Sequence, residues 1–136
     1  MKISTKSQYG LRTMAYLARL KEKIPLKEIA KKENISFDYL EKIISKLEKA
    51  GLVLAKKGSK GGYFLAKPAK KIKIGEIIKT LEGEISFVKC IGVRKNHYCP
   101  REKNCLTRNF WKKLKDSLDF TLNSITLEDL IKEKKK

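Results

Sequence analysis

The chain has 136 residues, of which 33 are Lys or Arg and 15 are Asp or Glu, so its net charge is +18 at pH 7. This length predicts one domain, or one small domain with an accessory element. The sequence has no apolar run of roughly 20 residues, which excludes a membrane-spanning helix, and its first residues lack the apolar run of a signal peptide. We therefore expect a cytoplasmic protein in which thiols stay reduced.

The positive charge favours polyanionic partners, with nucleic acid first and an anionic membrane surface second. The alternative is the lysine-rich surface of a thermophilic protein, but such a surface normally carries matching glutamate. Because basic residues outnumber acidic ones 33 to 15, we expect a nucleic-acid-binding protein and no membrane partner.

The first part of the sequence predicts three helices. Apolar residues at helical spacing occur within residues 5–20, and Pro25 interrupts the pattern before a short second helix. Ser36 is suited to cap a third helix, and Gly51 can adopt the left-handed conformation that ends it. The apolar positions of these helices are Leu11, Met14, Ala15, Ala18, Leu26, Ile29, Ala30, Leu40, Ile43, Ile44 and Leu47.

A β-hairpin and a fourth helix are predicted next. Two apolar runs, residues 52–55 and 63–66, flank a basic, glycine-rich tip at residues 56–62. Helix, turn, helix and basic hairpin follow one another in the order of a winged helix, in which the third helix enters the major groove. The fourth helix has Ile74, Ile77, Ile78 and Leu81 at helical spacing and Gly83 as its cap.

Two basic surfaces are the candidate DNA contacts. Tyr39, Lys42 and Lys46 lie opposite the apolar stripe of the third helix, and Ser36 lies at its start. The hairpin tip adds lysines that can neutralise phosphates and glycines that let the backbone approach closely. A solvated lysine face and an ordinary turn are the alternatives, but a turn needs one glycine and the tip has three. The predicted hairpin contacts are Lys56, Lys57, Ser59, Lys60, Gly61 and Gly62.

All three cysteines of the chain, Cys90, Cys99 and Cys105, lie in one polar stretch between predicted helices. Thiolates suit iron–sulfur clusters and zinc, and we expect a 2Fe–2S or 4Fe–4S cluster. Zinc fits the wide spacings poorly, redox thiols without a metal are a further alternative, and a disulfide would leave one thiol over. His97, the only histidine, is a weak candidate for a fourth ligand or a surface residue.

A last helix is predicted over about residues 106–124. Its apolar stripe contains Trp111, Leu114, Leu118 and Leu122, continued by Ile125. We expect this stripe to meet a second copy of the chain, as in dimers that bind palindromic DNA, although packing on the first helix is the alternative. The predicted division is a winged-helix domain at 1–83, a cysteine loop at 84–105, and a dimerisation helix with a basic tail at 106–136.

Several segments resemble the IscR/NsrR-type family of winged-helix transcriptional regulators. They are MKISTKSQYGLRTMAYLA, PLKEIAKKENIS followed by YLEKIISKLEKAGLV, KKGSKGGYFLAKP and IGEIIKTLEG, and together they span most of the chain. The resemblance implies a homodimer joined through the long C-terminal helix and an iron–sulfur cluster held by the three cysteines.

Two positions depart from the pattern of that family. Some relatives have a histidine ligand two residues after the third cysteine, where this chain has Thr107 beside Arg108. Others use an acidic residue in the N-terminal helix of the partner subunit, where this chain has Gln8. The fourth ligand is therefore not supplied by either pattern. Gln8 is a weak candidate, and the neighbouring Tyr9 and Arg12 can contact phosphate or the cluster edge, with Tyr9 as easily a core residue.

The sequence thus predicts a homodimeric repressor, mainly α-helical with a small β-hairpin, that binds a roughly palindromic double-stranded operator. We expect iron supply, redox state or nitric oxide to act through the cluster. The rival hypotheses are a thiol-redox or zinc-dependent regulator, and a non-regulatory nucleic-acid-binding protein with a structural metal. With one histidine and no phosphate-loop or dinucleotide motif, catalysis is not expected.

Overall fold

The computed structural model describes residues 2–88, 90–91, 100–101 and 103–133. This part of the chain is mainly helical, with one two-stranded antiparallel sheet, as the sequence predicted. Its elements are α1 (Thr5–Leu20), α2 (Leu26–Glu33), α3 (Phe37–Lys49), β1 (Val53–Lys56), β2 (Gly62–Leu65), a 3₁₀ turn (Ala69–Lys71), α4 (Ile74–Glu82), α5 (Arg108–Ser124) and α6 (Leu127–Glu133).

The core lies between α1, α3 and α4, with α2 and α6 packed at its edges. The apolar stripes predicted for α3 and α4 are buried in it, which is what their helical spacing requires. Fully buried members include Met14, Leu40, Ile43, Leu47 and Ile77.

Side-chain hydrogen bonds cap two of these helices at their N-termini. The Ser36 hydroxyl accepts from the Tyr39 amide at 3.3 Å, as the sequence predicted for α3. Ser4 caps α1 by accepting from the Ser7 amide at 3.3 Å. The carboxylate of Glu82, at the end of α4, accepts from the Ser4 amide at 2.7 Å and from the Ser7 hydroxyl at 2.8 Å. Glu82 thereby joins the end of α4 to the start of α1.

The hairpin is anchored to the rest of the fold by a third short strand segment. Val53 pairs with Leu65 and Lys56 with Gly62, while Ile24 exchanges two backbone hydrogen bonds of 3.0 and 2.9 Å with Tyr63 on the other side of β2. A Cβ on Gly62 would lie 2.5 Å from the Ile24 carbonyl carbon. Glycine is therefore required here for the close approach of the two backbones.

The structure adds one helix that the sequence did not predict. The sequence predicted no helix after about residue 124 and a charged tail at residues 131–136, but residues 127–133 form α6, and Leu127 is fully buried against the core. The Leu127 amide donates to the Ile72 carbonyl at 2.8 Å, and Ile125 accepts from the Ile74 amide at 2.9 Å. Ile125 therefore lies beyond the end of α5 and does not continue its stripe.

The apolar residues of α5 lie on two sides of that helix. Leu122 and Ile125 pack against the core of the same chain, and Trp111 and Leu118 are half-buried. Phe110 is 59% exposed and Leu114 is 36% exposed. The helix packs on α4 and not on α1, which was our alternative for it. Within the described ranges, no helix is long and apolar enough to cross a membrane.

Candidate nucleic-acid interface and thiol site

The outer face of α3 presents the side chains that the sequence predicted to read DNA. Lys42 and Lys46 are exposed, and Tyr39 is half-buried where the first turn meets α1. Ser36 is exposed; its hydroxyl accepts from the Tyr39 amide, and its proton and second lone pair remain available for contacts with DNA.

A support that sequence reasoning did not resolve lies behind Tyr39. The Tyr9 ring meets the Tyr39 ring edge-on at 5.8 Å between centroids, and the Arg12 guanidinium lies 5.4 Å from the Tyr9 centroid. Arg12 also donates to the Glu33 carboxylate at 3.0 Å and to the Glu33 carbonyl, the end of α2, at 2.6 Å. These contacts place Tyr9 and Arg12 between α2 and the first turn of α3. The i, i+3 spacing of the two residues puts them on one face of α1 but does not show which helices that face contacts.

The hairpin tip presents the second basic surface. Lys56, Lys57, Ser59 and Lys60 are all exposed. The two predicted glycine contacts have structural reasons of their own, because a Cβ on Gly61 would overlap the Lys56 carbonyl oxygen and one on Gly62 would meet Ile24. Both glycines shape the hairpin whether or not DNA approaches it.

Two of the three cysteines, Cys90 and Cys105, are described; they lie between α4 and α5 in the sequence, and both are half-buried. Cys99 and His97 lie outside the described residues, so the predicted three-thiol site is not seen whole. No group of three metal-ligating side chains occurs in the part of the chain that the structure describes.

Cys105 lies directly before α5 and is in contact with its first residues. Its sulfur is 3.3 Å from the Thr107 hydroxyl. Hydrogen bonds from the Thr107 hydroxyl and amide and from the Arg108 amide, together with the charge of Arg101, hold the pKa of the Cys105 thiol below its ordinary value. The position where some relatives have a histidine ligand thus stabilises the thiolate through a hydroxyl.

Gln8, the other candidate for a fourth ligand, is exposed on α1. Its side-chain amide donates to the Ile3 carbonyl at 3.1 Å, a local contact near the chain's start. Its role as a ligand from the partner subunit stays a prediction.

The family model that describes iron-dependent transcriptional regulators of the Rrf2 type matches residues 3–133. This chain belongs to the Rrf2 family. It is 37% identical over 135 residues to the protein Rrf2 of Nitratidesulfovibrio vulgaris, covering 98% of this chain and 89% of that protein. It is 33% identical to the transcriptional regulator IscR of Pectobacterium carotovorum over 136 residues, which cover 98% and 81% of the two chains.

Solved structures of this family share the fold. CymR of B. subtilis, described as a global cysteine regulator, superposes with a TM-score of 0.80 at 39% identity, covering 98% of both chains. IscR of T. potens superposes with a TM-score of 0.77 at 38% identity, covering 98% of this chain and 88% of that one. This Rrf2-family chain is therefore a winged-helix protein of a family of transcriptional regulators, which confirms the predicted family and fold class.

Proposed function

We propose that this Rrf2-family protein is a dimeric repressor whose affinity for a roughly palindromic operator is set by an iron–sulfur cluster on Cys90, Cys99 and Cys105. The observation that carries the proposal is the position of Cys105. Its sulfur is held by the first residues of α5, a helix that packs on α4 of the DNA-binding module and exposes an apolar face.

The donor set fits a cluster chemically. Thiolates are the usual protein ligands of iron–sulfur clusters, and the surroundings of Cys105 favour the thiolate form. Cys90, which follows α4 in the sequence, is also half-buried. When bound, the cluster would supply one-electron redox chemistry and iron that oxidants or nitric oxide can attack.

The chain's own contacts connect Cys105 to the DNA-binding surfaces. Thr107 and Arg108 link the Cys105 sulfur to the first turn of α5. At the other end of that helix, Gly75 of α4 allows a close approach, since a Cβ there would lie 3.0 Å from the Leu122 carbonyl oxygen. Helix α4 packs in turn on α1 and α3. A change at the sulfur can therefore reach α3 through two helix contacts.

A second copy of the chain is the proposed cover for the exposed face of α5. Phe110 and Leu114 are large apolar side chains that a soluble monomer would leave in water, and Leu106 beside them is 99% exposed. Two copies of α3 brought together in this way would face half-sites about one DNA turn apart.

Anaerobic purification with visible absorption and counts of iron and sulfide tests the cluster. We expect a coloured protein, and Cys90→Ser, Cys99→Ser and Cys105→Ser should each lose most of the absorption. The matched controls are Gln8→Ala and His97→Ala, which should keep nearly all the iron because we expect the fourth ligand to be exchangeable. If a cysteine variant keeps full absorption and iron, that cysteine is not a ligand. If a control variant loses the cluster, the substituted residue is the fourth ligand.

Operator selection from random duplexes tests the DNA-binding roles. Once a preferred sequence is known, Lys57→Ala in the hairpin should weaken operator and random DNA about equally and reduce the salt slope by about 0.9 for each subunit bound. Lys42→Ala in α3 should instead alter the sequence preference. If the hairpin variant changes base preference and keeps the salt slope, the two roles are assigned wrongly.

A regulator that responds through thiol oxidation without a metal is the second candidate. The likeness to CymR favours it, since CymR of Staphylococcus aureus, solved in an oxidized form, is 38% identical with a TM-score of 0.73. In that case the protein would be colourless after anaerobic purification, and an oxidant would change its operator affinity reversibly with added dithiothreitol.

A further inference from the structure

We propose that Lys6 and Lys23 belong to the DNA-binding surface, and that each forms with a second lysine, Lys46 and Lys56 respectively, a paired-ammonium site that holds one backbone phosphate. Lys6 and Lys23 lie outside α3 and outside the hairpin. The inference rests on the proposed DNA binding and adds two contacts to it.

The first pair joins α1 to the recognition helix. These helices run antiparallel: Tyr9 meets Tyr39, and a Cβ on Gly10 would lie 3.3 Å from Cγ2 of Ile43. One turn further along, Lys6 lies beside Lys46, close enough for its ammonium group to lower the pKa of Lys46. Lys6 and Lys46 therefore lie beside the exposed face of α3.

The second pair joins the α1–α2 connection to the hairpin. Ile24, Tyr63 and Ala55 pair across the three strand segments and share one face of the sheet. Because side chains alternate along a strand, Lys23 and Lys56 share the opposite face. Their ammonium groups also lie close to each other, with Lys23 level with Phe64 and Lys56 level with Gly62 of the intervening strand.

Both pairs are electrostatically strained in the free protein. The nearby ammonium group of Lys6 lowers the pKa of Lys46, and that of Lys56 lowers the pKa of Lys23. None of the four lysines forms an ion pair with an acidic side chain of the described residues, although Lys6 lies close enough to Glu82 to lower slightly the pKa of that carboxyl. An anion placed between two ammonium groups removes the repulsion and gains two attractions.

A phosphodiester is the anion that the surroundings favour. Each pair lies beside one of the two surfaces predicted to contact DNA, α3 for Lys46 and the hairpin for Lys56. Lysine is a compact point charge, suited to phosphate without demanding a planar, two-pronged geometry. The two pairs would therefore hold phosphates on either side of the groove that α3 enters.

The salt dependence of binding to a random-sequence duplex of fixed length measures these phosphate sites without knowledge of the operator. The double variants Lys6→Gln/Lys46→Gln and Lys23→Gln/Lys56→Gln each remove one whole phosphate site and should reduce the slope of log affinity against log salt by about 0.9 for each subunit bound. Between about 50 and about 200 mM salt, that is a change of about 3.5-fold for each phosphate that is no longer neutralised. Lys6→Gln and Lys23→Gln alone leave one ammonium group at each site and should reduce the slope by a smaller amount. The melting temperature of each variant should stay the same or rise, because a repulsion is removed.

Lys70→Gln is the matched control, since Lys70 is exposed in the 3₁₀ turn that packs against α6. It should leave the slope unchanged. If the double variants keep the wild-type slope while the wild-type protein binds DNA, the paired sites do not exist. Failure to select any preferred sequence would instead count against the proposed regulator, and that outcome is read from a separate experiment.

Discussion

At the scale of single residues, Glu82 is the most consequential group outside the proposed binding surfaces. The hydroxyl and amide of Ser4 and the hydroxyl of Ser7 hold its pKa below its ordinary value. Ser4 is also the cap of α1, so one carboxylate fixes both the start of α1 and the end of α4. These helices support α3 from behind, and their relative position decides where α3 points.

We therefore expect Glu82→Gln to lower the free energy of unfolding by about 1 kcal/mol at neutral pH, since hydrogen bonds to a charged group are stronger than neutral ones by about that amount. A carboxylate with a lowered folded pKa stabilises the protein above its unfolded pKa, and this contribution is lost as pH falls through the folded pKa. When denaturant unfolding is measured from pH 7 down to acidic pH, the free energy of unfolding should fall less for Glu82→Gln than for wild type.

Glu41→Gln, on the exposed side of α3, is the control for this measurement. Its free energy of unfolding should fall with decreasing pH as steeply as that of wild type. Equal pH profiles for wild type and Glu82→Gln would show that the carboxylate charge does not tie α1 to α4.

At the scale of secondary-structure elements, α2 and α3 are set against each other by α1. Arg12 binds the last carbonyl of α2 and supports Tyr9, which in turn contacts Tyr39 in the first turn of α3. The Arg12 side chain is 50% exposed, so its ion pair with Glu33 stabilises the fold little. Its main effect is on where the Tyr39 side chain lies.

Arg12→Ala should accordingly reduce the preference for operator over random DNA by roughly tenfold, because one well-placed base contact is worth about 1–3 kcal/mol. The salt slope should be unchanged, since every phosphate that the wild-type protein binds is still bound. Competition binding with both duplexes measures the ratio and the slope together.

Arg19→Ala is a matched control, because Arg19 also lies over a tyrosine of α1, with its guanidinium 5.8 Å from the Tyr16 centroid. It should leave the operator preference intact. A uniform weakening in both arginine variants would indicate general destabilisation of α1 in place of a positional effect.

Most of these elements could be predicted from the sequence because their signals are local. Ser36, Gly51 and the apolar stripe of α3 each act within a turn or two, and α3 begins directly after Ser36 as expected. Helix α6 was missed because its reason for folding is distant in sequence: Leu127 fills a space beside α1 and bonds to Ile72. The lysine-rich sequence around Leu127, taken by itself, predicts a tail.

The candidate site was predictable in residue type and less so in arrangement. Lysines on α3 and on the hairpin follow from periodicity, whereas the pairing of Lys6 with Lys46 depends on how α1 crosses α3. The spacing of Trp111, Leu114, Leu118 and Leu122 indicated an apolar helix but could not show which side the same chain covers. That division depends on α4, whose position is set by the tertiary fold.

At the scale of the whole molecule, the exposed part of α5 determines the proposed assembly. Phe110 and Leu114 face outward, while Leu118 is half-buried within the protomer. Leu118 therefore makes a poor test of dimerisation, because a charge there also disturbs the packing of α5 on α4. Phe110 and Leu114 are the better positions.

Phe110→Glu and Leu114→Glu should each weaken dimerisation by roughly 100-fold or more, because about 1.5–3 kcal/mol per buried side chain is lost in both subunits. Operator affinity should fall with it, since each half-site is bound weakly alone. Sedimentation velocity over a concentration series measures the dissociation constant, and circular dichroism checks that the protomer stays folded.

Leu54→Glu provides the comparison, since Leu54 is 46% exposed on the hairpin, in a different element from α5. It should remain as dimeric as wild type. Dimers that persist in both α5 variants would place the contact between subunits on another face.

In the proposed regulator α5 acts as a lever arm, because its C-terminal end is fixed to the core of its own chain. Its C-terminal end is fixed by the close approach of Gly75 and by the backbone bonds around Ile125 and Leu127. Its N-terminal end, beside Cys105, carries the outward-facing Phe110. A helix of 17 residues is about 25 Å long, so a rotation of about 5° at the fixed end displaces the other by about 2 Å. Under the proposed function, a second subunit seated on Phe110 and Leu114 would convert such a displacement at Cys105 into a change in the distance between the two copies of α3.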